Sequence, residues 1–240
     1  MPARHRSGPD LVAQGRARDL VTVRRMTPAD LDEVVALHIV CFPRDFVTRL
    51  GHSFLREFYR EAMGEIALVA LLDGHVAGTQ LTFMRAGRTF LRMLVGGGVK
   101  FAKAAAPTAA QGPWQAARVA LALAKPFQAW RPKGEATAMY TAVHPSQRGK
   151  GIAKLLLKRM LAEAELAGIS SIHGENDDDP VLNSLYESVG FVKGKTRQTV
   201  DGRRRVGMSA RVRRAVAMLA SDPDFQAAAG EAAWYRSLAI

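Results

Sequence analysis

The chain has 240 residues, 48% of them hydrophobic, and a formal net charge of +12 with a pI near 10.4. This length fits one domain with additions or two small domains, and the apolar share supports a packed core, which excludes a disordered chain. The basic charge favours an acidic partner, such as a phosphorylated cofactor, nucleic acid or an anionic membrane, without choosing among them.

Cys41 is the single cysteine, so no internal disulfide can form, and we expect a reducing, cytoplasmic compartment. The sequence contains no apolar run long enough for a membrane span. Residues 1–19 carry arginines but no apolar stretch of the kind found in a secretory signal, and they are predicted to form a flexible basic arm.

The first third of the chain predicts a strand, two helices and a hairpin. The β-rich run 20–25 is followed by "TPAD" (27–30), a typical helix start with a capping threonine, a proline and an acidic residue. Residues 53–63 repeat the helical period of apolar side chains. Asp73 and Gly74 then separate two apolar runs, which indicates a tight hairpin turn.

Residues 85–134 differ in composition from the rest, because they contain basic residues but no acidic one. Breaker-rich stretches flank apolar helical patterns in this block, so we interpret it as a basic helical insertion. Two interpretations stay open: a helical flap with a solvated basic face, or a surface that contacts an acidic substrate or membrane headgroups.

The second half predicts alternating strands and helices that end in a hairpin and an appended helix with a basic start. Gly168 suits the stop of the long helix, and Asp179 with Pro180 suits the start of the short one. The predicted elements are a strand at 135–143, a helix at 152–167, a strand at 169–176, a short helix from 180, a hairpin turning at Asp201–Gly202, and the helix at 211–240.

The stretch "HPSQRGKGIAK" (144–154) joins a predicted strand to a predicted helix. The first turn of a helix has unpaired N–H groups, and glycines let a phosphate approach them closely. The spacing fits neither a P-loop nor a dinucleotide fingerprint. The pattern that remains is Arg-x-x-Gly-x-Ala, met by Arg148, Gly151 and Ala153.

Charge at this helix start also indicates an anion. Four cations lie in or near the first two turns of this helix: Arg148, Lys150, Lys154 and Lys158. The first acidic residue of the helix is Glu163. Uncompensated cations there oppose the helix dipole by a few tenths to ~1 kcal/mol each, whereas a bound pyrophosphate reverses the sign. The alternative is a plain surface loop with a basic helix start.

The segment "AVHPSQRGKGIAKLLL" resembles the acyl-CoA-binding motif of the GCN5-related N-acetyltransferase (GNAT) superfamily, and "NSLYESVGF" (183–191) resembles the next motif of that family. The resemblance covers residues 20–210. It implies an α/β fold with a mixed, mostly antiparallel central sheet flanked by helices. The insertion at 85–134 and the extension at 211–240 are additions to the minimal fold.

The resemblance also implies roles for individual residues. Acetyl-CoA is the expected co-substrate, its pantetheine arm pairing with the backbone near Ala142 and Val143. Tyr186 is expected to be the general acid to the CoA thiolate, and the side chain of Asn183 is expected to bind the cofactor. The expected pyrophosphate ligands are the N–H groups of Arg148, Gly149, Lys150, Gly151, Ile152 and Ala153.

The general base stays open among Glu135, Glu175 and a water chain. His144 is interpreted as structural. No metal is expected, since "DDD" (177–179) is interpreted as a helix-capping loop and no His or Cys pattern indicates zinc.

The sequence thus predicts an N-acetyltransferase that moves an acetyl group from acetyl-CoA to a primary amine by direct attack. The acceptor is a protein or small molecule, no specific nucleic acid is expected, and residues 85–134 are a candidate contact to an anionic surface. The alternatives are a basic module that binds nucleic acid or membranes, and a GNAT fold that binds acyl-CoA without catalysis. Acceptor, acyl length and oligomeric state stay open.

Overall fold

The computed structural model describes residues 21–45, 47–95, 98–110, 112–114, 132–199 and 202–237. The predicted basic arm at 1–19, Asp201 of the predicted hairpin turn and residues 115–131 of the predicted insertion lie outside these residues.

Within the described residues, seven strands form one sheet in the order β1-β2-β3-β4-β5-β7-β6. Neighbouring strands are antiparallel, except that β4 and β5 run parallel. The strands are β1 (Val21–Arg25), β2 (Ile66–Leu72), β3 (His75–Phe83), β4 (Glu135–Val143), β5 (Ser171–Asp177), β6 (Val192–Gln198) and β7 (Arg204–Arg211).

Helices cover both faces of this sheet. The described helices are α1 (Leu31–Cys41), α2 (His52–Ala62), α3 (Ala86–Val95), α4 (Gly98–Ala109), α5 (Ile152–Leu166), α6 (Pro180–Glu187), α7 (Val212–Leu219) and α8 (Pro223–Ser237). Helices α1 to α4 share one hydrophobic cluster with the sheet, and α5, α7 and α8 share another. None of these helices has the length and apolar character needed to cross a membrane.

Strand β2 shows how the sequence builds the two clusters. Its side chains alternate strictly, with Ile66, Leu68 and Ala70 in the α5 cluster and Ala67 and Val69 in the α1–α2 cluster. A strand buried on both faces is a continuous apolar run, and its period of two divides that run between two helical layers.

Local turn and capping signals hold in the structure. Asp73 and Gly74 have φ values of 52° and 82°, the left-handed pair that a two-residue hairpin requires. The Asp179 carboxylate accepts from the N–H groups of Val181 and Leu182 at 2.8 and 3.0 Å, and Pro180 opens α6. These contacts confirm the predicted hairpin and the predicted helix cap.

The C-terminal extension differs from the single helix predicted at 211–240. The structure has two helices, α7 and α8, with a break before Pro223. Proline has no N–H to continue a helix and disfavours helical backbone at the preceding residue, so a new helix starts at Pro223.

Candidate functional site

Strands β4 and β5 stop pairing towards their carboxyl ends, and the space between them there is called the cleft. The two strands pair only from Glu135–Ser171 to Ala138–Gly174. Beyond that point β4 continues to Val143 against β3 alone, and β5 continues to Asp177 against β7. Beyond Ala138, the side of β4 away from β3 has no strand partner among the described residues, although the Val143 carbonyl accepts side-chain hydrogen bonds from Arg148 Nε at 3.3 Å and Cys41 Sγ at 3.5 Å.

Gly174 lies at the apex of this cleft. A Cβ atom at this position would lie 3.2 Å from the Ala138 carbonyl oxygen and 3.3 Å from the Ala138 Cβ. The absence of a side chain lets the two strands approach closely there, immediately before they separate.

The loop from β4 to α5 presents free backbone donors. Gly149 and Gly151 have φ values of 79° and 82°, which glycine adopts without strain. Among the described residues, the N–H groups from Gly149 to Ala153 donate to no backbone carbonyl. Together with the positive end of the α5 dipole, they form an arrangement suited to a phosphate group.

Two basic side chains of the loop are held near these donors. Arg148 Nε donates to the Val143 carbonyl at 3.3 Å, and Lys150 Nζ donates to Gln147 Oε1 at 2.6 Å. His144 Nδ1 lies 2.8 Å from the Ser146 hydroxyl, inside the loop itself, which agrees with its structural interpretation.

Lys158 does not add to the uncompensated positive charge at the start of α5. Its side chain is 2% exposed, and Nζ lies 2.6 Å from Asp222 and 2.7 Å from Asp224. These partners follow 64 and 66 residues later in the chain, so the charge of Lys158 is neutralised by the C-terminal extension rather than by a ligand.

Tyr186 comes from α6 and reaches the open segment of β4. Its hydroxyl lies 3.0 Å from Thr141 Oγ1, and its ring packs against Phe191 at 5.3 Å between centroids. Burial raises the pKa of Tyr186 above its ordinary value, so the phenol stays protonated near neutral pH. The structure therefore places a protonated phenol beside the open segment of β4.

The side chain of Asn183 is buried and has two protein partners. Its Nδ2 donates to Asp178 Oδ1 at 3.0 Å, and its Oδ1 accepts from Asn176 Nδ2 at 3.0 Å. These bonds join α6 to the end of β5. The cofactor-binding role of Asn183 stays a prediction.

The two candidate carboxylate bases have other partners: Glu135 lies far from Thr141 along β4, and Glu175 is bound by Arg197. Glu135 contacts His173 Nε2 at 3.2 Å in the closed part of the β4–β5 pair. It precedes Thr141 by six residues, roughly 20 Å along a strand. Glu175 forms two bonds to Arg197, at 2.8 and 2.6 Å, on the exposed side of β5.

Sequence reasoning missed a second polar pair, on the other side of β4. The Tyr140 hydroxyl donates to Asp45 Oδ1 at 3.0 Å, and the ring packs on His38 at 4.6 Å. Burial, together with the charge of Asp45, raises the pKa of Tyr140, which keeps its hydroxyl a donor. The sequence held two signals for this pair. Tyr140 and Thr141 are neighbours on a strand, so their side chains lie on opposite faces of the sheet, and Asp45 is the lone acidic residue between α1 and α2.

Comparisons with known proteins bear on this architecture. Residues 135–212 match the sequence model of the acetyltransferase (GNAT) domain. A search of curated protein sequences gave no match.

Solved structures resemble the fold over 80% of this chain at low sequence identity. The ribosomal-protein-S18-alanine N-acetyltransferase from Escherichia coli is 16% identical with a TM-score of 0.51, over 80% of this chain and 94% of that one. A putative acetyltransferase from Salmonella typhimurium, solved with its cofactor acetyl-CoA, is 16% identical with a TM-score of 0.53, over 80% and 94%. Ard1 from Thermoplasma volcanium is 15% identical with a TM-score of 0.53, over 80% and 97%.

These similarities agree with the site geometry. The matched range starts with β4, includes the loop, α5 and α6, and ends just after β7. The sequence match over 135–212 and the shared fold confirm that this protein resembles the GNAT N-acetyltransferases, with the mixed, mostly antiparallel sheet flanked by helices that the resemblance implies.

Proposed function

We propose that the protein transfers the acetyl group of acetyl-CoA to a primary amine. The observation that carries this proposal is the β4–β5 cleft, which has free loop N–H groups at one end and the Tyr186 hydroxyl beside its open β4 edge. The single cysteine supports a reducing, cytoplasmic setting.

The residues that are present suit coenzyme A. The N–H groups from Gly149 to Ala153, helped by Arg148 and Lys150, would hold the pyrophosphate. The β4 backbone near Ala142 and Val143, which has no strand partner on this side, would pair with the amides of the pantetheine arm, and the Val143 carbonyl would exchange its side-chain donors for the arm. When bound, acetyl-CoA supplies an acetyl thioester, and the products are an acetylated amine and the CoA thiol.

Tyr186 would supply the proton that the departing sulfur takes up. Burial raises the pKa of this phenol, so the proton is in place at neutral pH and can be donated in the transition state. The oxygen of the phenol is held by Thr141, a residue of the open β4 segment.

The amine would approach from the face of β4 that carries Tyr140. Asp45 is half-buried there and accepts from both the Tyr140 hydroxyl and the Val47 N–H. A carboxylate in this position can hold an ammonium group and take its proton, which an amine must lose before it attacks. We therefore propose Asp45, rather than Glu135 or Glu175, as the acceptor-side carboxylate.

The test is a Tyr186→Phe variant, assayed for acetyl-CoA binding by calorimetry and for amine-dependent thiol release. We expect an unchanged Kd and a kcat lower by about 10- to 100-fold, since a general acid contributes at least that much. Ser188→Ala is the control, because it removes a hydroxyl just after the same helix, where it donates to the Leu185 carbonyl at 2.7 Å, and its kcat should stay unchanged.

Other outcomes separate the alternatives. Wild-type protein that binds acetyl-CoA but releases no thiol with any amine would be a non-catalytic acyl-CoA-binding protein. Unchanged turnover in the Tyr186→Phe variant would remove the acid role from this residue.

The amine panel should include a peptide with a free N-terminal alanine, a lysine-containing peptide, glucosamine and spermidine. The S18-alanine N-acetyltransferase among the similar structures motivates the first of these. Spermidine is the disfavoured member, because a net charge of +12 opposes a polycationic acceptor.

We also propose that α3 and α4 contact an anionic membrane surface. Arg88, Leu91, Arg92 and Val95 lie on one helical face and are exposed, whereas the opposite face of α3 packs into the core. Further along the chain, this mixture of exposed basic and apolar side chains continues with Val99, Lys100 and Trp114. Basic and apolar side chains together on one helix face are typical of interfacial helices.

A further inference from the structure

A line of buried and half-buried polar groups crosses from β3 through β4 to Tyr186. Gln80 on β3 is fully buried, and its side-chain oxygen contacts the Thr141 hydroxyl. The same hydroxyl lies 3.0 Å from the Tyr186 hydroxyl. Three side chains from three elements therefore share one chain of hydrogen bonds.

The direction of this chain follows from the surroundings of Gln80. Its Nε2 lies 2.9 Å from Thr82 Oγ1, 3.4 Å from the Leu81 carbonyl oxygen and 3.4 Å from Met160 Sδ. A carbonyl oxygen and a thioether sulfur only accept hydrogen bonds, so the NH₂ group must face them. The Gln80 oxygen consequently faces Thr141.

An amide oxygen is an acceptor only, so Thr141 must donate its single proton to Gln80. The lone pairs of Thr141 then remain for Tyr186, and the phenol is the donor of the second bond. Gln80 thus sets the direction of both bonds, although it lies away from the cleft.

We propose that Thr141, oriented by Gln80, is a positioning residue that holds the Tyr186 phenol at the cleft with its proton retained. This inference rests on the proposed acid role of Tyr186 and adds to it. When negative charge develops on the sulfur in the cleft, the phenol O–H turns from Thr141 to this stronger acceptor. The O–H bond of Tyr186 breaks as the S–H bond of the thiol forms, and solvent later returns the proton to the phenol.

A neutral hydrogen bond contributes about 0.5–1.5 kcal/mol net, which corresponds to roughly two- to tenfold in rate. Thr141→Val keeps the shape of the side chain but removes the hydroxyl. We expect kcat with the best amine of the panel to fall about three- to tenfold. The Kd for acetyl-CoA should stay unchanged, and Thr141→Ser should restore most of the activity.

Thr137→Val is the matched control on the same strand. The Thr137 hydroxyl is buried without a hydrogen-bond partner among the described residues, so its replacement should leave kcat unchanged.

A double-mutant cycle separates positioning from packing. In the Tyr186→Phe background no phenol remains to be positioned, so Thr141→Val should have no further effect on kcat. A full additional loss in that background, or wild-type kcat in Thr141→Val alone, would overturn the inference. Unchanged turnover in Tyr186→Phe itself would instead overturn the acid role, so the two failures are distinguishable.

Discussion

At the scale of single residues, the pyrophosphate site that we propose for the loop depends on Gly151. This glycine has a φ of 82° and forms the N-cap of α5, where the free N–H groups converge. Gly151→Asp places a carboxylate among these donors. We expect the affinity for acetyl-CoA, measured by calorimetry, to fall about tenfold or more. The new carboxylate and the pyrophosphate are both negative, and they would compete for the same N–H donors.

Gly168→Asp is the control for that change. Gly168 has a φ of 71° at the other end of the same helix, so both variants carry a similar left-handed strain, which aspartate tolerates better than most residues. Equal acetyl-CoA affinity in the two variants would place the pyrophosphate elsewhere.

The sequence predicted the site residues whose signals are local. Gly151 follows a strand and opens a helix, and Tyr186 sits in a short motif with Asn183 and a Gly-Phe pair. The partners of these residues could not be predicted in this way. Thr141 and Tyr186 are 45 residues apart, and contact between them depends on how α6 packs against the sheet.

At the scale of elements, two buried cations of α5 pair with partly exposed carboxylates of α8 and of the residue before it. Lys158 pairs with Asp222 and Asp224, and Arg159 Nη1 lies 2.8 Å from Glu231. Asp222→Asn with Asp224→Asn would leave the buried Lys158 cation without a counterion. Because the aspartates are partly exposed and the asparagine oxygens can still accept from Nζ, we expect this double variant to lower the free energy of unfolding in urea by about 1–3 kcal/mol.

The same pairing predicts a rescue. Methionine is similar in volume to lysine but carries no charge. Since the two aspartates are partly exposed to solvent, Lys158→Met alone should change the free energy of unfolding little. Added to the Asn double variant, it should restore most of the lost stability. If the triple variant is no more stable than the double, buried charge is not the cause.

Elements with a strong period were predictable, and elements fixed by long-range pairing were not. Strand β4 has the bounds that its apolar pattern predicts, 135–143. The break in the C-terminal extension was missed, although Pro223 was a local signal for it. The alignment of α8 along α5 had no such signal, since Lys158 resembles a solvated cation until its partners are known.

At the scale of the whole molecule, the positive charge is unevenly distributed. The net charge is +12, and residues 85–134 contain no acidic residue. Four exposed residues lie on one face of α3: Arg88, Leu91, Arg92 and Val95. Arg92 forms a weak ion pair with Glu61, its Nε lying 3.8 Å from a carboxylate oxygen. A surface with interspersed apolar side chains is better matched to lipid headgroups than to the sugar–phosphate backbone of a duplex.

We therefore expect the protein to sediment with vesicles of phosphatidylcholine and phosphatidylserine but not with vesicles of phosphatidylcholine alone. Each cation near the surface contributes about 1 kcal/mol, so Arg88→Gln with Arg92→Gln should weaken binding about tenfold or more.

Arg213→Gln with Arg214→Gln removes the same charge from the exposed side of α7 and should matter much less. An equal loss in both pairs would indicate attraction by net charge alone, and tighter binding to a DNA duplex than to the anionic vesicles would favour the nucleic-acid alternative.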